Sequence, residues 1–134
     1  MDELNEKLEI IKEFLIKECD PQAIVLFGSY ARNTQNKESD IDIAIKTSKS
    51  ISKLDMFNLK NELEDIIKID VDLINLDAEL SDGFRYEILI NGDTIFCKNQ
   101  YEFDLYKLDM FREYLELSES RQMIINQLKE GKKK

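Results

Sequence analysis

Apolar residues recur at helical spacing in the first part of the chain, among Glu and Lys side chains. Their separation of three or four residues matches one face of an α-helix. The pattern predicts an amphipathic helix over residues 2–19, which ends at Asp20 and Pro21. The apolar residues of its predicted buried face are Leu4, Leu8, Ile11 and Leu15.

A continuous apolar run follows this helix. Residues 23–27 read Ala-Ile-Val-Leu-Phe, which is typical of a strand that is buried on both faces. Gly28 and Ser29 then turn the chain into a predicted short helix, and residues 33–39 form a polar loop. The sequence therefore predicts a buried first strand whose carboxyl end leads into a turn.

Two later segments alternate between apolar residues and aspartates. Residues 40–45 and 69–75 both show a period of two, so that the apolar side chains take one face of each predicted strand and the carboxylates take the other. The aspartates that share these polar faces are Asp40, Asp42, Asp70 and Asp72.

Three further helices and a short strand are predicted. Ser50 or Ser52 can cap a helix that ends just before the third strand, because serine favours the first position of a helix. A helix over residues 81–90, a strand over 94–97 and a long helix over 101–128 follow. The apolar surface of the long helix is wider than one core needs, so we expect part of it to meet another chain.

The composition fits one compact domain without a linker. The chain has 134 residues with one Pro and four Gly, and 43% of its residues are hydrophobic while 35% are charged. Charges of both signs among that many apolar residues predict an ordered fold. We therefore expect a single domain over residues 1–134.

Charge and targeting signals narrow the class of protein. The net charge of −9 argues against long nucleic acid as a partner, because such proteins present a basic surface to phosphate. Cys19 and Cys97 are too few for a disulfide scaffold, which favours a reducing cytoplasm. The start of the chain is acidic rather than signal-like, and no apolar run approaches the ~20 residues of a membrane span. We expect a cytoplasmic protein without a membrane partner.

The absence of histidine points to chemistry by carboxylates and metal. It removes Ser-His-Asp and Cys-His arrangements and the usual zinc sites. Asp40 and Asp42 lie two residues apart on one strand face, close enough to hold a pair of Mg²⁺ ions. If the third strand lies beside the second, Asp72, which shares its face with Asp70, adds a carboxylate that binds metal and accepts a proton from a hydroxyl.

Gly28 and Ser29 are candidates for phosphate binding. Backbone N–H groups that open a helix after a glycine, together with the serine hydroxyl, can bind the outer phosphates of a nucleotide, and Arg32 adds positive charge. Each feature alone is more often an ordinary turn or a solvated surface. Their order along the chain, together with the two carboxylate strands, favours nucleotidyl transfer.

This constellation also resembles a known signature. A Gly-Ser pair, ten intervening residues and two aspartates one residue apart are similar to the G-S-x10-D-x-D motif of minimal nucleotidyltransferases of the DNA polymerase beta superfamily. The resemblance covers about residues 23–97. Asn33 stands where the family commonly has glycine, and asparagine tolerates the left-handed backbone of such a turn. The matching segments are Gly28-Ser29, Asp40-Ile41-Asp42 and residues 30–32, 71–74 and 85–89.

The resemblance implies a nucleotidyltransferase fold of the α/β (α+β) class. Such a fold has a small mixed sheet of about four strands flanked by helices, here with a long C-terminal helix. The family's motif favours Asp72 over Asp70 as the third carboxylate. The resemblance assigns two Mg²⁺ ions to Asp40, Asp42 and Asp72, and it assigns the ATP substrate to Gly28, Ser29 and Arg32.

Members of this size resemble MntA-type antitoxins, which pair with HEPN-domain ribonuclease toxins of the HepT type. The resemblance implies Mg²⁺-dependent transfer of AMP from ATP to a tyrosine hydroxyl of the toxin, within a hetero-oligomer. The short chain shows no extra segment to hold an acceptor, which favours an acceptor on a partner. Two alternatives stay open: an antitoxin that masks the toxin without catalysis, and a nucleotidyltransferase with a small-molecule acceptor.

Overall fold

The computed structural model describes residues 3–28, 40–78 and 80–132. Within these ranges the chain forms four helices and four strands, at the places that the hydrophobic pattern predicts. In chain order they are α1 (Glu3–Cys19), β1 (Ala23–Phe27), β2 (Ile41–Lys46), α2 (Lys53–Ile67), β3 (Val71–Asn75), α3 (Asp82–Asn91), β4 (Asp93–Cys97) and α4 (Gln100–Lys132). The predicted short helix after Ser29 and the loop over residues 33–39 lie outside the described residues.

The four strands form one mixed sheet in the order β3-β2-β1-β4. β1 pairs antiparallel with both β2 and β4, whereas β2 and β3 are parallel. A parallel pair requires a crossover connection, and α2 provides it. The small mixed sheet of about four strands and the long last helix are therefore confirmed.

Each face of the sheet carries its own hydrophobic core. The isoleucines of β2 lie on one face and are fully buried against α1 and α2. The other face packs against α3 and the start of α4, through residues such as Val25, Ala44 and Ile88. All five residues of β1 are buried, which confirms the prediction from its continuous apolar run. Because β2 alternates, its aspartate lies on the second face, the one that α3 and α4 cover.

The ends of α2 and α3 are set by serine caps. The Ser52 hydroxyl accepts a hydrogen bond from the Asp55 N–H at 3.0 Å, which identifies Ser52 rather than Ser50 as the cap of α2. Ser81 caps α3 in the same way, through the Phe84 N–H at 3.1 Å. Such caps satisfy N–H groups that have no partner within the helix.

The end of α3 lies very close to β1 because residue 92 is a glycine. A Cβ atom at Gly92 would lie 2.5 Å from the Ile88 carbonyl oxygen and 2.5 Å from Val25 Cγ1. Real side chains do not tolerate such contacts, so a residue without Cβ allows α3 to pack against β1.

α4 exposes much of its apolar surface. Among its described side chains, four large apolar residues are between 45% and 72% exposed. The expectation that this surface meets another chain stays a prediction. The exposed apolar residues are Tyr101, Leu105, Leu108 and Leu115.

No helix in the described part of the chain combines the length and apolar character that a bilayer crossing requires.

Glu64 on α2 fixes the start of β3. Its carboxylate accepts a hydrogen bond from the Val71 N–H at 2.8 Å and lies 3.3 Å from the Lys60 ammonium. The Val71 N–H and, to a smaller extent, Lys60 lower the pKa of Glu64 below its ordinary value of 4.5. The bond ties the crossover helix to the strand that carries Asp72.

We expect Glu64→Ala to lower the free energy of unfolding by about 1 kcal/mol at pH 7, the usual scale for such a hydrogen bond near the surface. Because the pKa is lowered in the folded state, this stabilisation is present above pH 4.5 and disappears as the pH falls through the lowered value. Urea unfolding at pH 7 and pH 3 measures both effects. Glu62→Ala, on the same helix, is the matched control, and equal losses in the two variants would contradict the assignment.

Candidate active site

Asp42 and Asp72 lie side by side on adjacent strands. They are paired in the parallel register of β2 and β3, where neighbouring strands are about 4.8 Å apart. Asp40 directly precedes β2 and shares the face of Asp42 through strand alternation. Asp42 is half-buried, whereas Asp40 and Asp72 are exposed. Register and strand alternation therefore place the three predicted carboxylates at one end of the sheet, on one face. We call Asp40, Asp42 and Asp72 the carboxylate row.

The register also separates Asp70 from Asp72. The Asp70 carbonyl accepts a hydrogen bond from the Ile41 N–H at 3.0 Å, and Asp70 itself lies before β3 begins. The same register, continued by one residue, sets Asp70 against Asp40 rather than against Asp42. Asp72 is the residue across from Asp42, although its chemical role stays a prediction.

Gly28 contacts Asp42 so closely that no side chain fits at this position. It has φ +72°, a left-handed conformation that favours glycine. A Cβ atom there would overlap Asp42 Oδ2 and lie 2.9 Å from its Cγ. Phe27, the preceding residue, is paired in register with Asp42. The end of β1 thus brings the Gly28 backbone against the carboxylate of Asp42 on β2.

Ser29 and Arg32 lie outside the described residues. Their assignment to phosphate therefore remains a prediction, as does the short helix that was expected after Ser29. Gly28 is the described member of the predicted nucleotide-binding set.

The surroundings of this carboxylate row match a family of enzymes. The family model "Polymerase beta, Nucleotidyltransferase" matches residues 9–101, which include the Gly-Ser turn and all three carboxylates. The chain belongs to this nucleotidyltransferase family. The resemblance read from the sequence motif is therefore confirmed at the level of the family.

Relatives of known structure and activity extend this result. Protein adenylyltransferase MntA of Shewanella oneidensis is 32% identical over 128 residues, which cover 94% of this chain and 88% of that protein. A chain in a crystal structure of a toxin-antitoxin with AMP-PNP superposes with a TM-score of 0.78 at 29% identity, covering 91% of this chain and 97% of that chain.

A third similarity is to a complex. A chain in the structure of the tri-AMPylated Shewanella oneidensis HEPN toxin with its MNT antitoxin superposes with a TM-score of 0.72 at 27% identity. It covers 96% of this chain and 98% of that chain. These similarities reach over the long last helix as well as over the sheet.

The donor set of this nucleotidyltransferase site suits Mg²⁺. Mg²⁺ prefers oxygen ligands and commonly takes one or two carboxylates, with waters and substrate phosphates completing its shell. Asp40, Asp42 and Asp72 offer only oxygen, and Gly28 leaves no side chain beside the Asp42 carboxylate. Among the described residues, no group of three or more Asp, Glu or Cys side chains is placed so that it could hold a metal ion. The arrangement fits an ion that the substrate helps to bind.

Two cavities differ in their relation to this site. The larger, about 600 Å³, is lined by residues 17–20 and 48–51 among others. These segments lie at the end of α1 and just after β2, and none of the described site residues lines this cavity. A smaller cavity of about 220 Å³ lies between Phe27-Gly28 and α3, directly beside the carboxylate row.

The residues of α3 that line the smaller cavity received no role from the sequence. They are Phe84, Glu87, Ile88 and Asn91. Counted from Phe84, the other three follow after three, four and seven residues, so all four lie on one face of the helix. This spacing identifies them as cavity residues only when the strand that packs beside the helix is known. Arg85 holds this helix in place, because its guanidinium donates to the carbonyls of Leu76 at 2.9 Å and Ala78 at 3.1 Å.

Proposed function

We propose that this chain is an antitoxin that transfers AMP from ATP to a tyrosine hydroxyl of a cognate HEPN toxin and so neutralises it. The observation that carries the proposal is the register of Asp42 with Asp72, directly beside the close contact of Gly28 with Asp42. The relatives support the same activity, since they include a protein adenylyltransferase and a complex with an AMPylated HEPN toxin.

In this proposal Asp40 and Asp42 hold Mg²⁺, with Asp72 as a further ligand. Two bound Mg²⁺ ions would supply charge neutralisation for the phosphates and activation of the incoming hydroxyl. Asp42 is the central ligand, because the backbone at Gly28 and the neighbouring strands on both sides limit how its carboxylate can move. A ligand held in this way needs little reorganisation when the substrate binds.

Asp72 is the proposed proton acceptor. The tyrosine oxygen attacks the α-phosphorus of ATP, its proton passes to the Asp72 carboxylate, and the bond from the α-phosphorus to the bridging oxygen breaks to release pyrophosphate. The new bond is a phosphodiester between AMP and tyrosine. Asp72 is exposed at the end of an edge strand, which lets a residue of another protein reach it.

The Gly28-Ser29 turn is proposed to bind the outer phosphates of ATP. Backbone N–H groups of such a turn are suited to anions, and Ser29 and Arg32 are proposed to add a hydroxyl and a positive charge. These groups would also steady the leaving pyrophosphate. Binding energy placed there favours the in-line position of the α-phosphate.

The acceptor is proposed to arrive on the toxin, in a hetero-oligomer. The exposed apolar residues of α4 offer a surface for a protein partner, because apolar patches of this kind commonly mark interfaces. The net charge of −9 disfavours a nucleic-acid acceptor.

Intact-mass measurement of the toxin tests this proposal. After incubation with this protein, ATP and Mg²⁺, we expect the toxin to gain mass in whole AMP units and to lose its ribonuclease activity. The gain should disappear when EDTA is added to chelate Mg²⁺, or when α,β-methylene-ATP, whose α–β bridge cannot be cleaved, replaces ATP. A toxin that is inhibited by this protein and ATP without any gain in mass would contradict the proposal and favour masking.

A further inference from the structure

The smaller cavity lies next to Asp42, over the end of the neighbouring strand β1. Phe27, Asp42 and Asp72 are paired in register across β1, β2 and β3, so their side chains lie on the same face of the sheet. The cavity lies over Phe27 and Gly28 and is closed on its far side by α3. A nucleotide whose α-phosphate is held at Asp42 therefore has this cavity beside it, next to Gly28.

The size of the cavity suits one part of a nucleotide. Its volume is about 220 Å³, below the roughly 300 to 1,000 Å³ of pockets that enclose a whole drug-sized ligand. The space accepts a single ring system, while the phosphates remain outside at the carboxylate row. The cavity is partly open, because Phe84 at its edge is 39% exposed.

Two aromatic side chains in contact with each other line the cavity. The rings of Phe27 and Phe84 approach edge to face, with centroids 6.0 Å apart. Phe84 is an apolar residue that keeps a large exposed fraction. Aromatic side chains of this kind bind nucleobases by stacking, without regard to their identity.

A hydrogen-bonded pair on α3 provides the groups that can distinguish bases. Asn91 Nδ2 donates to Glu87 Oε1 at 2.8 Å. Because an ionised carboxylate only accepts, this bond fixes the amide orientation and leaves Asn91 with its oxygen and one N–H for a ligand. An amide in this state forms a bidentate pair with the amino group and the adjacent ring nitrogen of adenine.

Guanine does not match the same groups. It presents two acceptors where adenine presents a donor and an acceptor, so its oxygen would face the Asn91 oxygen and the Glu87 carboxylate. Neither of those atoms donates a hydrogen bond. The pair therefore favours a purine whose amino group lies beside N7, which is true of adenine and not of guanine.

We propose that this cavity is the base subsite of the enzyme, in which Phe84 stacks on the purine, Phe27 contacts the edge of the purine, and Asn91, oriented by Glu87, selects adenine over guanine. This inference rests on the proposed function, because it takes the α-phosphate to lie at Asp42. It assigns the choice of nucleotide to α3 rather than to the carboxylates.

Calorimetric titration of the full chain with AMP-PNP, GMP-PNP and inorganic tripolyphosphate, each with Mg²⁺, tests the assignment. The unmodified protein should bind AMP-PNP about tenfold or more tightly than GMP-PNP. Phe84→Ala should weaken both nucleotides by roughly tenfold and leave tripolyphosphate unchanged. Asn91→Ala should bring the two nucleotides to within about threefold of each other, since the bidentate pair is lost.

The chain offers matched controls on the opposite face of the sheet. Phe57→Ala and Asn58→Ala remove the same side chains from exposed positions of α2, and neither should change any of the three affinities. If Phe84→Ala fails to fold, Phe84→Leu keeps the apolar bulk and removes the aromatic face, so it should weaken both nucleotides as well.

The outcomes separate this inference from the proposed function. Equal binding of the two nucleotides by the unmodified protein, or equal effects of Phe84→Ala and Phe57→Ala, would overturn the base subsite and leave AMP transfer untouched. Base-selective binding by an enzyme that transfers no AMP to the toxin would overturn the proposed function alone.

Discussion

Asp42→Asn should lower the rate of AMP transfer to the toxin by about a thousandfold, the scale of several kcal/mol of lost transition-state stabilisation at a metal-assisted phosphoryl transfer. The substitution keeps the size of the side chain and removes its charge. Because Asp42 lies between the Gly28 backbone and Asp72, no other described carboxylate can take its position. Initial rates from the intact mass of the toxin, at saturating ATP, measure the effect.

Asp65→Asn is the matched control for this variant. Asp65 is exposed on α2, on the other face of the sheet, and the same loss of charge there should leave the rate unchanged. Complex formation with the toxin, measured by gel filtration, should persist in both variants. If Asp42→Asn still neutralises the toxin as the unmodified protein does, masking rather than catalysis is the mechanism.

Local patterns in the sequence were sufficient to predict the described helices and strands, whereas the mixed sheet was expected from the family resemblance. The period of two in residues 41–46 and the helical period of residues 3–19 each arise from burial of one face, and both elements form where they were predicted. The unbroken apolar run of β1 indicates burial on both sides, which the central position of the strand in the sheet explains. Serine caps and Gly92 then mark the ends of the helices that join these strands.

The pairing of the carboxylates needed the structure. Asp70 and Asp72 have the same alternation, so the sequence alone cannot decide which of them faces Asp42; the register of two strands that are about 30 residues apart decides it. Such non-local pairings leave no local signal. The motif resemblance favours Asp72 as the third carboxylate, and that role stays a prediction.

The cavity beside Gly28 is non-local in the same sense. Phe84, Glu87 and Asn91 look like ordinary surface positions of a short amphipathic helix, and their common environment exists only because α3 packs across the end of β1. Gly92 permits that approach because it has no side chain. From the sequence alone, a glycine at this position indicates only the end of a helix. Residues that only tertiary packing brings together are therefore the ones that the sequence missed.

Asp72→Asn should lower the transfer rate by about a hundredfold or more at neutral pH, the usual range for loss of a general base, whereas Asp70→Asn should change it by less than about threefold. The two substitutions remove the same charge from exposed residues two positions apart, so they form a matched pair. A difference in transfer rate between the two variants therefore measures the effect of position along the strand, since only Asp72 is paired with Asp42.

The pH dependence distinguishes a proton acceptor from a metal ligand. A tyrosine hydroxyl has a pKa of about 10 and loses its own proton as the pH approaches that value. The rate of Asp72→Asn should therefore rise toward that of the unmodified protein between about pH 7 and pH 9.5, while the rate of Asp42→Asn should stay low. A rate for Asp72→Asn that stays equally low at high pH would assign Asp72 to metal binding alone, and a large loss in Asp70→Asn would make Asp70 the third carboxylate.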